Sequence, residues 1–222
     1  MRCLYRLNRN AFVLLDSIQA KKKVRTNLDN LSEPQIVRAA KNVAPAFFND
    51  PLSTYLMQDA SKRPKQLEWF FRLTYSYCHR WGRVVSDPEL KSLAGLLPPN
   101  ETAMTSWRLL KIGLWKAPFV LGMGAFARLG RFSDEAEKIH KELMPDPHWY
   151  LLALGTSPEA QGTGLGSTIL DQTIRIAEDS SLPLYLETMT EENVGFYERR
   201  GFNILREFTV DSTVRTWAMA RS

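Results

Sequence analysis

Cysteine is nearly absent: Cys3 and Cys78 are the only two in 222 residues. Two thiols in a chain this long build no disulfide framework, and they point to a reducing compartment such as the cytoplasm. Cys78 falls on the apolar face of a predicted helix, where a thiol serves as a small buried hydrophobe. Histidine is scarce too. His79, His140 and His148 show no metal-ligand spacing, so no metal is expected. Long hydrophobic runs are missing. The most apolar stretch, residues 104–129, is interrupted by Arg108, Lys111, Lys116 and Arg128. Its longest uncharged run, residues 117–127, falls well short of the ~20 residues that a spanning helix needs. No membrane span is expected.

The body of the chain also lacks an excess of either charge. The formal net charge is +5. Residues 1–30 carry Arg2, Arg6, Arg9, Lys21, Lys22, Lys23 and Arg25 against Asp16 and Asp29, which leaves 22 charges of each sign in residues 31–222. The pI near 9.2 therefore belongs to the first thirty residues. A nucleic-acid-binding domain would carry its basic excess on the fold, so that class is excluded as an expectation. The basic segment reads as a solvated tail, with an organellar targeting segment or a misassigned start as alternatives. A length of 222 residues suits one domain with a sizeable core over residues 31–222.

Periodicity supplies the plan. Residues 35–40 read as a short strand. A broken helix follows, with Phe47 and Phe48 before a turn at Asn49-Asp50-Pro51 and Leu52, Tyr55 and Leu56 after it. Pro64 opens a helix whose inner face is Leu67, Phe70, Phe71, Thr74, Cys78 and Trp81, and Gly82 ends it. Strands are predicted at 83–86, 92–97, 148–154, 184–189, 204–210 and 214–220, with helices at 164–179 and 194–200. Asp211-Ser212-Thr213 turns the last hairpin. The fold class is α/β, a mixed sheet with helices on both faces. Residues 101–147 form a helical insert, with Ser133 capping its second helix and Pro145 stopping it. Trp107, Trp115, Phe119, Phe126 and Phe132 make that insert either a packed flap or an apolar lid.

The chemistry centres on Gln161-Gly162-Thr163-Gly164-Leu165-Gly166, between the apolar strand and a long helix. Alternating glycines bare a run of backbone N–H groups at a helix start, which is a receptor for phosphate. A Walker loop needs a Lys before its Ser/Thr, and Leu165-Gly166-Ser167 has none. A dinucleotide loop needs G-x-G-x-x-G in a tight turn straight off the strand. Here the pattern is G-x-G-x-G, and six residues intervene after Leu154. Glu187, 21 residues past Gly166, stands where a ribose-binding acid would, so an NAD(P)-binding oxidoreductase stays as a minor alternative.

The loop also matches the Q/R-x-x-G-x-G/A signature of the GNAT (GCN5-related) N-acetyltransferases, and Thr156-Ser157-Pro158 resembles its lead-in. Downstream, Asn193-Val194-Gly195-Phe196-Tyr197-Glu198-Arg199-Arg200-Gly201-Phe202 resembles a short form of the family's N-x-x-a-x-x-F/Y-Y-x-x-x-G-F region. The resemblance is clear over about residues 146–222, thinner over 34–100 and absent over the first thirty. It implies a mostly antiparallel GNAT sheet, acetyl-CoA as co-substrate and direct transfer to an amine.

On that basis the N–H groups of Gly162, Thr163, Gly164, Leu165, Gly166 and Ser167, beside Gln161, would hold the coenzyme A pyrophosphate. The pantetheine arm would lie along Leu154, Gly155 and Thr156, where a backbone N–H could polarise the acetyl carbonyl. The resemblance implies that this strand splays from its neighbour there. Tyr197 is the expected general acid for the leaving thiolate, with aromatic packing as its plain alternative. Asn193, four residues earlier, shares its helix face and suits the N-cap. Glu187 is the candidate base, with an ion-pairing role as the alternative. A non-catalytic acyl-CoA sensor would keep the loop and lack a productive base. The acceptor would be a small-molecule amine in preference to a peptide amine, chosen by the early helices and the insert. A homodimer is among the assemblies open to such a chain.

Overall fold

The computed structural model describes residues 31–222 and, before them, the two-residue strand β1 (Asn27–Leu28). The basic tail and Cys3 lie outside the described residues. Ser32 opens α1 (Glu33–Val43) by donating its backbone N–H to Gln35 Oε1 at 2.8 Å. Ile36, Ala39, Ala40 and Val43 are buried at helical spacing. The strand expected over residues 35–40 is therefore a helix. Four apolar residues at i, i+3, i+4 and i+7, begun by a cap and a proline in the first turn, outweigh a short apolar run.

A 3-10 turn (Ala44–Phe47) leads to Asp50, whose carboxylate accepts from the N–H groups of Leu52 and Ser53 at 3.0 and 3.1 Å. That cap starts α2 (Pro51–Leu56). Helix α3 (Arg63–Trp81) follows, with Pro64 in its first turn and Gly82 after its last. Its buried residues include Leu67, Phe71, Tyr75 and Cys78, but Phe70, Thr74 and Trp81 are only half-buried. Burial raises the Cys78 thiol well above its ordinary pKa, so it is an inert hydrophobe.

Strands β2 (Arg83–Ser86) and β3 (Ser92–Leu97) have the predicted bounds. The insert holds α4 (Ser106–Lys111), a 3-10 turn (Leu114–Lys116), α5 (Ala117–Val120) and α6 (Met123–Leu143). Ser133 does not cap a helix; it lies inside α6. The buried series Ala125, Phe132, Ala136, Ile139 and His140 runs unbroken past it, and packing overrides the local capping signal.

Next come β4 (Trp149–Thr156), α7 (Leu165–Asp179), β5 (Leu184–Thr188), α8 (Glu191–Glu198), β6 (Asn203–Val210) and β7 (Val214–Arg221). The sheet order is β1-β2-β3-β4-β5-β7-β6, and among the described residues only the β4–β5 pairing is parallel. The fold is the mixed, mostly antiparallel sheet expected. One face packs against α1, α3 and α6 through Ile36, Leu67, Tyr75 and Phe132. The other packs against α7 and α8 through Ile169, Leu170, Val194 and Tyr197.

Two irregularities position the site. The β3–β4 register slips between Gly95 and Leu96, whose partners are Ala153 and Leu151, so Leu152 is a bulged residue. The β4–β5 pairing has only three register pairs, the last being Leu151 with Leu186, although β4 continues to Thr156. The strands therefore splay beyond the bulge, as the resemblance implied.

Candidate active site

The splay exposes one edge of β4. Ser157 N–H donates to Lys91 C=O at 2.7 Å, which sets the alternation of the β3–β4 ladder. By that alternation Gly155 pairs with Leu93 and spends its N–H on β3, while the N–H groups of Leu154 and Thr156 face the gap. The expected oxyanion donors narrow from three residues to two. Gly155 serves another purpose. A Cβ there would lie 2.9 Å from the Phe47 ring, 3.1 Å from Val43 and 3.3 Å from the Tyr75 hydroxyl. Its missing side chain lets α1 and α3 close on the strand.

The glycine loop lies just past the open edge. Gly162 and Gly164 have φ of +75° and +83°, in the left-handed region. There is open space around both, so backbone conformation, not crowding, requires glycine. The conformation is pinned at both ends. Thr163 Oγ1 donates to Ala160 C=O at 2.7 Å, and Gln161 Nε2 donates to Thr156 C=O at 3.3 Å. Gly164 then caps α7 without a side chain, and the first helical bond comes from Thr168 N–H to Gly164 C=O at 3.0 Å. The N–H groups of Leu165, Gly166 and Ser167 precede that bond and have no partner within the helix. Gly166 is the packing glycine of the motif. A Cβ there would meet Thr156 Oγ1 at 2.8 Å, and that hydroxyl is tied to Ser92 Oγ, also at 2.8 Å.

Tyr197 and Glu187 lie on opposite faces of the sheet, Tyr197 in the layer of α7 and α8 and Glu187 beside Tyr150 and Tyr185. Tyr197, on α8, is buried in edge contact with Phe202 at 5.5 Å between ring centres. Burial raises its pKa well above the ordinary phenol value. Asn193 is exposed and one turn away. It does not cap α8, because the helix starts earlier, with Thr190 at the N-cap and Glu191 and Glu192 in its first turn. Two carboxylates favour that helix end through the dipole. Gly201 ends the segment at φ +81°, as expected.

Glu187 is held by two phenols. Tyr150 donates to its Oε2 at 2.5 Å and Tyr185 to its Oε1 at 2.9 Å. Desolvation pushes its pKa up to about 7, although both hydrogen bonds pull the other way. Strand alternation places Tyr185 beside Glu187 from sequence alone. Tyr150 arrives through the parallel register, where it pairs with Tyr185, and no local signal in the sequence marks it. Beside them His140 stacks on Tyr185 at 4.2 Å, with its Nε2 2.7 Å from Nε2 of His148. His148 Nδ1 lies 2.7 Å from the Asp146 carbonyl and must donate to it. His148 Nε2 therefore accepts, and His140 donates. Burial and its neighbour hold His140 down to about 3. The insert's aromatics are not brought together: Phe132 is buried and Phe126 half-buried in the core, whereas Trp107, Trp115 and Phe119 project outward.

Comparison with known proteins finds acetyltransferases in sequence and in fold. The sequence model of the acetyltransferase (GNAT) family matches residues 116–202, which hold the glycine loop, Glu187 and Tyr197. An uncharacterized N-acetyltransferase of Schizosaccharomyces pombe is 28% identical over 173 residues, 74% of this chain and 69% of that protein. The crystal structure of histone acetyltransferase HPA2 and related acetyltransferase from Corynebacterium glutamicum superposes with a TM-score of 0.60 at 23% identity, over 88% of this chain and 95% of that one. Arylalkylamine N-acetyltransferase 2 of Aedes aegypti gives 0.57 at 13% identity, over 89% and 98%. The sequence match, this relative and the shared fold together make the chain similar to the GNAT acetyltransferases, as its loop and its Asn193–Phe202 segment led one to expect.

Proposed function

We propose that the chain transfers acetyl from acetyl-CoA to a primary amine by direct attack. The observation that carries this reading is the coincidence of the β4–β5 splay with the bare N–H groups at the start of α7. The N–H groups of residues 162–167 receive the pyrophosphate, and the open edge of β4 at Leu154 and Thr156 pairs with the pantetheine amides. One of those two N–H groups polarises the thioester carbonyl.

Glu187 takes a proton from the incoming ammonium, directly or through water. A carboxylate with a pKa of about 7 is matched to that work at neutral pH. The amine nitrogen then bonds to the carbonyl carbon, the C–S bond breaks, the sulfur leaves as thiolate, and the surplus proton on the nitrogen passes to that thiolate, directly or through water, which leaves a neutral amide and free coenzyme A. Tyr197 keeps its proton too firmly to surrender it to a thiolate of ordinary basicity, about 8.5 for a thiol. Its role is to donate a hydrogen bond to the developing sulfur charge. This sharpens the acid role expected from sequence. A small-molecule amine fits better than a peptide amine, because Glu187 is half-buried among Tyr150 and Tyr185 and offers a narrow approach.

Acetyl-CoA at sub-millimolar concentration should raise the melting temperature. No shift, together with no heat of binding, would overturn the reading. A panel of metabolite and peptide amines with free-thiol detection separates an enzyme from an acyl-CoA sensor. Tyr197→Phe should lower turnover and spare acetyl-CoA affinity.

A further inference from the structure

The described residues expose nine large hydrophobic side chains, and six of them (Met104, Trp107, Leu110, Trp115, Phe119 and Met123) lie within one twenty-residue stretch of the insert. Exposure reaches 67% for Trp107, 85% for Phe119 and 69% for Met123. Side chains so exposed protrude; they do not line a groove. Singly exposed apolar residues need no explanation, but six within one short stretch mark that stretch as an interaction segment.

Charge selects the partner. Residues 102–133 contain no Asp or Glu, and they carry Arg108, Lys111, Lys116, Arg128 and Arg131. Arg108 and Arg131 are ion-paired, with Glu101 and Asp211, so the two lysines carry the argument. Lys111 and Lys116 reach over the rings of Trp107 and Trp115, each at 5.1 Å, so cation and aromatic protrude together. A second copy of this segment would bring like charges together. The first thirty residues are basic as well and fit no better. The partner must supply negative charge and a soft apolar medium at once. Exposed tryptophans with lysines beside them match the headgroup level of a bilayer, and the basic groups match its anionic lipids.

We propose that the 104–123 segment docks on an anionic phospholipid membrane surface, with Trp107, Trp115 and Phe119 entering the headgroup layer. The inference is independent of the acyltransferase reading. No helix of the described residues is long and apolar enough to cross a bilayer, so docking would be peripheral.

The test is flotation of the full chain with vesicles of phosphatidylcholine alone or mixed with phosphatidylserine, read together with tryptophan emission. Residues 1–30 hold no tryptophan, so a blue shift reports the folded body even if the basic segment also touches lipid. We expect binding and a blue shift only with phosphatidylserine, both weakened by salt. Lys111→Glu with Lys116→Glu should weaken binding by about tenfold or more. Trp107→Phe with Trp115→Phe should abolish the blue shift, and Phe119→Ser should weaken binding with an unchanged melting temperature. No flotation with phosphatidylserine, equal flotation without it, or full binding by the double glutamate variant would each overturn the proposal. So would capture of an acidic amphipathic peptide by a chain that ignores vesicles.

Discussion

Glu187 sits where three influences compete. Burial favours its neutral form, and hydrogen bonds from Tyr150 and Tyr185 favour its charge. The result is a pKa of about 7 against an ordinary 4.5. A raised carboxyl pKa contributes stability that is fully present below about pH 4.5 and is lost as pH rises through 7. Glu187→Gln should therefore gain stability relative to the unmodified chain above pH 7, as measured by melts across pH. In the same variant kcat/KM should fall by about 10²–10⁴ and lose its rising limb near pH 7. Tyr150→Phe removes a bond that lowers the pKa, so its limb should move to higher pH. A limb that stays in place would detach Tyr150 from the base.

At the scale of elements, the glycine motif was legible because its demands are local. Left-handed φ at Gly162 and Gly164 and close approach at Gly166 each leave a mark in the residue type. Gly166→Ala should weaken acetyl-CoA binding, seen by calorimetry, because a methyl 2.8 Å from Thr156 Oγ1 must push α7 off the open edge of β4. The hairpins were legible as well: β2, β3 and the β6–β7 turn lie where predicted. Where packing decides, the sequence pattern misled. Residues 35–40 look β-like until their partners on α3 are known, and Ser133 imitates a cap inside α6. Tyr150 and the His140–His148 pair were not legible, because parallel register and long-range contact brought them to the surroundings of Glu187.

For the molecule as a whole, the buried histidine pair should shape acid stability. His140 has an ordinary pKa of 6.5 and is held at about 3, so its stabilising contribution is lost as pH falls from about 6.5 towards 3. His140→Phe should be less stable at pH 7, by about 1–3 kcal/mol, because His148 loses its donor. Its stability should nonetheless fall less steeply below pH 6.5; denaturant titrations at several pH values would show both. The splay has a mechanical side as well. Among the described residues, three register pairs are all the ladder that joins β1–β4 to β5–β7–β6, so the sheet is two leaves on a short spine. Amide hydrogen exchange should find β5 and β7 opening apart from β3 and β4, and acetyl-CoA, wedged where the leaves part, should slow that opening. In binding its donor, the protein would mend its own sheet.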